Sequence, residues 1–157
     1  MKAQLLANYI LLKYSPMSHL KLQKLLFYCE AYHLASFETP LLEEDFEAWV
    51  HGPVCREVYN DYKSKAVLYK DLNFEGNAEA VIEEFEAHHL STSQKDLLDD
   101  VLNTLNSWTA FALESATHNE LPWISARFGY SAGDKCSEKI SKDIMMEYYK
   151  KELVPNG

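Results

Sequence analysis

Histidine, glutamate and cysteine are the side chains with which this sequence could move protons, attack a carbonyl or hold a metal, and their spacing supports little of that chemistry. His88 and His89 are adjacent, so on a helix they point in different directions and cannot share one metal as an i, i+4 pair can. His118-Asn119-Glu120 lacks the HExxH spacing, which leaves an acid–base pair of His118 and Glu120 as the one hydrolytic arrangement the sequence permits. Cys29, Cys55 and Cys136 are odd in number and far apart, without a CxxC, and frame neither a disulfide scaffold nor a four-cysteine zinc site. No GxGxxG, GxxxxGKS, GxxxxGKT or GxSxG occurs. Glu43–Glu44 and Asp99–Asp100 are indistinguishable from charged helix surface. The expectation is a chain without metal, cofactor or catalytic turnover.

A costlier arrangement lies in "FEAWVHGPVCREVYNDYK", residues 46–63, which places one of three tryptophans, Trp49, just before Gly52 and Pro53. Pro53 has φ set near the helical value and no N–H to waste, so it is expected at the first helical position, with Gly52 extended before it in dihedrals closed to other residues. The plain structural purpose of such a corner is to fix where a helix begins.

Composition bounds the partners. The 157 residues are 47% hydrophobic and 13% aromatic, enough for one core. Fifteen Lys and Arg against twenty-four Asp and Glu give a net charge of −9, and Arg56 and Arg127 are the only arginines. An acidic chain nearly free of arginine is poorly suited to tracking nucleic acid. At the start, Gln4, Asn8 and Lys13 interrupt the apolar stretch and no small-residue cleavage site follows. No segment is long enough to span a membrane, and cysteines that frame no disulfide scaffold fit a reducing, cytoplasmic location.

The elements that must position these residues are mostly helical. Leu5, Leu6, Tyr9, Ile10 and Leu12 predict a first helix that stops at Ser15–Pro16. Ser18 caps a second, with Leu22, Leu25, Leu26, Cys29 and Tyr32 on one face and Phe27, Tyr28 and Leu34 beyond it; burial on more than one side makes this the central helix. Phe46, Ala48 and Val50 alternate as a short strand would, and a third helix is expected from Pro53. Residues 67–80 carry mixed signals and hold either a second short strand or a loop. Ser91 or Ser93 caps a helix with Leu97, Leu98, Val101, Leu102, Leu105 and Trp108 inward. A further helix follows with Phe111, Ala112 and Leu113 inward, then a short one opened by Pro122 and ended by Gly129, and a last one from Ser141 or Asp143. The expected fold is mainly α, one compact domain over 1–157 with about six to seven helices and short β segments near 45–51 and 66–74. No repeat or low-complexity tract is present.

In this order and spacing, KLQKLLFY (21–28), EAW-x-x-GPV (47–54) and T-H-x-E-x-PW-x-x-AR (117–127) resemble the Panacea domain, also called the SocA-like or phage-associated antitoxin domain. The resemblance runs through nearly the whole chain; Ser107 and Trp108 depart from it, standing where a small or glycine turn is expected. It implies an antitoxin of a toxin–antitoxin pair, often carried by prophages, that neutralises a protein toxin from a neighbouring gene by direct binding. One member instead delivers its toxin to an ATP-dependent protease, so proteolytic adaptor is the alternative, and the His118–Glu120 hydrolase is the other.

The shared positions divide by type. Leu22 and Leu25 are core, and Trp49, Gly52, Pro53, Pro122 and Trp123 are expected to be structural, Trp123 as a core anchor. Gln23, Lys24, His118, Glu120 and Arg127 form either a buried network or a partner-facing patch. His51 and Arg56, flanking the corner, are expected to reach a partner, because arginine beside aromatic groups typifies interface hot spots.

Overall fold

A helix that is apolar on more than one side must be surrounded, and the chain is arranged to do that. Its elements run α1 (Ala3–Tyr14), β1 (Met17–Ser18), α2 (His19–Phe37), β2 (Glu47–Trp49), β3 (Gly52–Val54), α3 (Arg56–Tyr62), β4 (Asp71–Leu72), α4 (Ala78–Glu86), α5 (Thr92–Leu105), α6 (Ala110–His118), α7 (Leu121–Ala126) and α8 (Lys142–Leu153). The computed structural model describes residues 1–62 and 68–153. The Ser18 hydroxyl accepts the Lys21 N–H to start α2, and Glu38 ends it in the left-handed region at φ 60°, returning its N–H to the Leu34 carbonyl. Fifteen of the nineteen α2 residues are buried, because α8 and α5 lie along it and α1 and α6 close the remaining sides. Phe27 meets Phe46 and Tyr149 edge-on at 5.4 and 6.0 Å. The α5 cap is the predicted one: Ser91 accepts from the Gln94 N–H while the Gln94 side chain accepts from the Ser91 N–H, and Leu98, Val101, Leu102 and Leu105 face the core.

The chain is mainly α, as the periodicity predicts, with two short antiparallel pairs. β2 falls within 45–51 and pairs with β3. β4 falls within 66–74 and pairs with β1, residues 66 and 67 of that window lying outside the described residues. Eight helices are described rather than six to seven, the addition being α4. Its Asn77 cap is local and Ala78, Val81, Ile82 and Phe85 recur at helical spacing, a short signal obscured by the mixed signals of residues 67–80; only Phe85 is buried, stacking on Tyr9 at 4.0 Å. Phe111 and Trp108 were expected inward and are 74% and 42% exposed. Leu113 is buried as expected, with Thr117 a turn beyond it on the same face, and Phe111 lies away from that face.

Pro53 is also corrected: it belongs to β3, and α3 starts at Arg56. The missing N–H is tolerated for a different reason than helix initiation. Pro53 lies opposite Ala48, whose N–H donates to the Glu138 carbonyl and whose carbonyl accepts from Arg127, so both point away from β3. This is a position where the ladder asks nothing of a proline. Gly52 precedes it at φ +102°.

Candidate functional site

Two consecutive polar residues of α2 face the corner and hold it. The Gln23 Oε1 accepts the Cys55 N–H at 2.8 Å, fixing the chain between β3 and α3. The Lys24 Nζ donates to the Pro53 carbonyl at 2.9 Å with no part of the residue exposed. Gly52 makes room for it: a Cβ there would lie 2.6 Å from Lys24 Cε and 2.9 Å from Thr117 Oγ1. The glycine thus serves both its left-handed φ and the packing of a lysine stem.

Burial drives the Lys24 amine down to about 7 from an ordinary lysine value of 10.5, against the pull of the Glu114 charge. Between those values the unfolded chain holds a proton that the folded chain lacks, so stability rises with pH from about 7 upward and the full penalty is present below 7. Thiols oppose the trend at higher pH, because burial holds Cys55 near 12 in the folded chain against 9.0 ordinarily. Denaturant midpoints from pH 7 to 9 should therefore show the wild type gaining about 2 kcal/mol relative to Lys24→Met. Parallel profiles would show that the amine is charged in the fold.

A second layer fixes the hairpin from outside α2. The Trp123 indole N–H donates to the Trp49 carbonyl at 2.9 Å, and the ring is sandwiched between His118 at 4.2 Å and the Arg127 guanidinium at 5.0 Å. Arg127, 5% exposed, donates to the carbonyls of Ala48 (2.8 Å), Ser131 (2.9 Å), Ala132 (3.3 Å) and Asp134 (2.6 Å), tying β2 to the loop after α7. Pro122 and Trp123 are buried in α7. Gln23, Lys24 and Arg127 are thus buried and hydrogen-bonded inside the chain. His118 is half-buried, and desolvation lowers its pKa.

The outer face of the corner is different. Arg56 pairs with Glu47 through two bonds, Nε at 2.9 Å and a terminal nitrogen at 2.7 Å, and lies 5.2 Å over the Trp49 ring. The Trp49 N–H donates to the same carboxylate at 3.0 Å. Burial works against the Glu47 charge, but these bonds outweigh it and hold the carboxyl below its ordinary range. The His51 Nδ1 donates to Glu114 at 2.7 Å, and its Nε2 lies 3.2 Å from the Tyr69 hydroxyl. Trp49, His51 and Arg56, with Val54, Tyr59 and Cys136, line a cleft of about 370 Å³. Arg56 and His51 keep nearly half of their side-chain surface exposed.

His118 and Glu120 are not brought together. His118 lies on Trp123, while the Glu120 carboxylate accepts the hydroxyls of Tyr28 at 2.6 Å and Tyr149 at 2.7 Å, and no hydrogen bond joins the two. Neither His118 nor Glu120 has a nucleophile among these contacts. Burial also keeps the Cys55 and Cys29 thiols protonated at neutral pH. Among the described residues no three His, Cys, Asp or Glu side chains are grouped to hold a metal. No described helix is long and apolar enough to cross a membrane.

Sequence reasoning missed Glu47 and Glu114, the carboxylates that orient Arg56 and His51. Glu47 could have been found as the first residue of the EAW motif, and Glu114 one helical turn before His118. Tyr149 and the Glu30–Lys142 pair at 2.7 Å, with Glu30 wholly buried, carry no local signal.

No characterised protein and no solved structure matches the chain closely enough to be called similar. A family model does: the antitoxin SocA-like, Panacea domain matches residues 22–124, about two thirds of the chain, from the buried face of α2 through the β2–β3 corner to the tryptophan of α7. The corner, the α2 side chains that hold it and the α7 residues that brace it all lie within or at the edge of that span, and the chain belongs to the SocA-like Panacea domain family.

Proposed function

We propose that this chain is an antitoxin that neutralises a protein toxin from a neighbouring gene by binding it directly, through the face built by Trp49, His51 and Arg56. The observation that carries the reading is the Arg56–Glu47–Trp49 assembly: an exposed guanidinium already held in place by two bonds and an indole loses little conformational freedom when a partner arrives. Apolar surface supports a protein partner as well. Leu121 and Ile124, one turn apart on α7, and Phe128 just beyond its end are 51%, 45% and 91% exposed.

The test is co-expression with the neighbouring gene followed by isolation of the complex. The chain rescues growth and copurifies with the toxin, and salt weakens the complex where rim charges steer it. Arg56→Gln, which keeps a donor for Glu47, and His51→Ala lower affinity by roughly tenfold, in the range of interface truncations, with little change in melting temperature. Lys150→Glu, on α8 where Lys150 pairs with Glu38, changes neither. Deleting the host ATP-dependent protease leaves protection intact if binding alone neutralises, whereas an adaptor fails and toxin accumulates. A non-toxic neighbour, together with hydrolysis of a substrate lost in His118→Ala, would replace the antitoxin by the enzyme.

A further inference from the structure

Two buried histidines of α2 are each met by a glutamine that is not free to turn over. Near the start of the helix, the Gln23 Oε1 accepts the Cys55 N–H at 2.8 Å and its Nε2 donates to the Cys55 carbonyl at 3.4 Å, so the amide holds that backbone at both groups. The same Nε2 lies 3.0 Å from the His19 Nε2, which must therefore be the bare nitrogen of a neutral ring. The His19 proton is then on Nδ1, buried and without a partner among the described residues. Further along α2, the His33 Nδ1 lies 2.7 Å from the Thr39 carbonyl; a carbonyl only accepts, so the ring proton is there and the His33 Nε2 is bare. That nitrogen accepts from the Gln94 Nε2 at 2.9 Å, while the Gln94 Oε1 accepts the Ser91 N–H at 2.8 Å in the capping box of α5. Turning either amide over to suit a charged ring would set an NH2 against the backbone N–H that its oxygen now accepts.

We propose that His19 and His33 are proton-sensitive latches: a proton on either ring sets N–H against the N–H of its glutamine, which then lets go of the backbone it holds, so acid opens the β3–α3 corner and the α5 cap. A buried donor facing a donor leaves two polar groups unpaired where water does not reach them. The titratable groups that face His19 are Lys24 on its own helix and Tyr59 and Tyr62 on α3, with rings 5.5 and 5.7 Å away, and none of these is a carboxylate that would welcome the charge. Burial, with the Lys24 charge, lowers the His19 pKa from 6.5 to about 4. Burial also lowers that of His33, against the Thr39 carbonyl and the charge of Glu30, which is itself paired with Lys142; the Met1 amino group adds to the lowering. The unfolded chain takes up these protons near 6.5 while the folded chain refuses them, so this stability is fully present above 6.5 and is lost as pH falls toward about 4. Lys24 adds no slope of its own there, being protonated in both states below about 7. The corner that Gln23 holds carries Trp49, His51 and Arg56 on its outer face. Acid sensitivity of partner binding through that face rests on the antitoxin reading; the latches do not.

The experiment uses the isolated full chain, so its outcome is independent of any toxin. Long-range proton–nitrogen NMR spectra, recorded from about pH 8 down to acid unfolding, read the proton on each ring nitrogen. Both rings should be neutral with the proton on Nδ1, stay so below 6.5, and lose that state only together with the side-chain amide signals of Gln23 and Gln94. A proton on Nε2 instead, or a ring that charges while its glutamine signal is unchanged, overturns the latch. Protection of the Cys55 amide against hydrogen exchange, corrected for the intrinsic rate, should fall by up to roughly tenfold per pH unit below 6.5, since opening takes up the His19 proton. Protection that does not change with pH overturns the His19 latch. Gln94→Glu tests the other by reversing it: one carboxylate oxygen still accepts the Ser91 N–H, as in an ordinary capping box, and the second welcomes a proton on the His33 Nε2. His33 should then titrate above 6.5, and the variant should lose less stability than the wild type between about pH 7 and about pH 5. A folded Gln94→Glu chain in which His33 titrates as in the wild type overturns the His33 latch.

Discussion

Gly52→Ala should be among the most damaging single-methyl additions to this chain, with an expected loss of roughly 2–6 kcal/mol. The two contributions are independent: about 1–3 kcal/mol for a side chain held at φ +102°, and about 1–3 kcal/mol for overpacking against Lys24 Cε, 2.6 Å from the new carbon. Neither can relax alone. The lysine is held by the Pro53 carbonyl, which belongs to the residue after Gly52, so moving one end of the contact moves the other. Chemical denaturation of the variant reads the loss directly. Lys24→Ala in the same background should relieve the contact with Lys24 and leave the Thr117 contact and the backbone part, and the two changes will not add because they share one contact. A variant as stable as the wild type would mean that the corner adopts another conformation.

Trp123→Ala should cost about 3–5 kcal/mol, the usual range for truncating a large buried aromatic. For a chain of this length that is a fall of roughly 6–20 °C in melting temperature. The indole is 8% exposed, and its removal strips the stacking partner from His118 and from the Arg127 guanidinium and leaves the Trp49 carbonyl without its donor. Loss of neutralisation should then follow from unfolding. If Trp123→Ala melts like the wild type but no longer binds the toxin, the ring acts at the interface and its packing contributes little. Arg56→Gln gives the opposite pattern, lower affinity with little change in melting, so the pair of variants separates the bracing layer from the contact layer.

The helices were legible because their signals are local. Ser18 and Ser91 lie within three residues of the N–H groups they accept, and the face of α5 repeats within one window of sequence. α4 was missed although Ala78, Val81, Ile82 and Phe85 repeat at helical spacing, because the repeat covers barely two turns and follows a stretch of mixed signals. The junction 46–54 was recognisable as an expensive corner, but its proline was assigned to a helix. Local dihedrals allow Pro53 at a helix start and on a strand position with no hydrogen bond to make, and only the partner strand distinguishes the two.

The polar family residues show where local reasoning ends. The sequence by itself determined a mainly helical, acidic chain with a buried central helix, without the spacing of known catalytic motifs, and with three motifs that mark its family. That Gln23, Lys24 and Arg127 are buried was decided only by the tertiary structure. A lysine on an amphipathic helix is ordinarily solvated, because burying its charge costs more than its stem returns. Lys24 is buried because a residue twenty-eight positions away lacks a Cβ and the following carbonyl points at its amine. Glu120 gathers hydroxyls from Tyr28 and Tyr149, ninety-two positions before it and twenty-nine after, for the same kind of reason. Desolvation and hydrogen bonding act over ångströms, and distance along the chain does not report which groups the packing of α2 against its neighbours brings within that range.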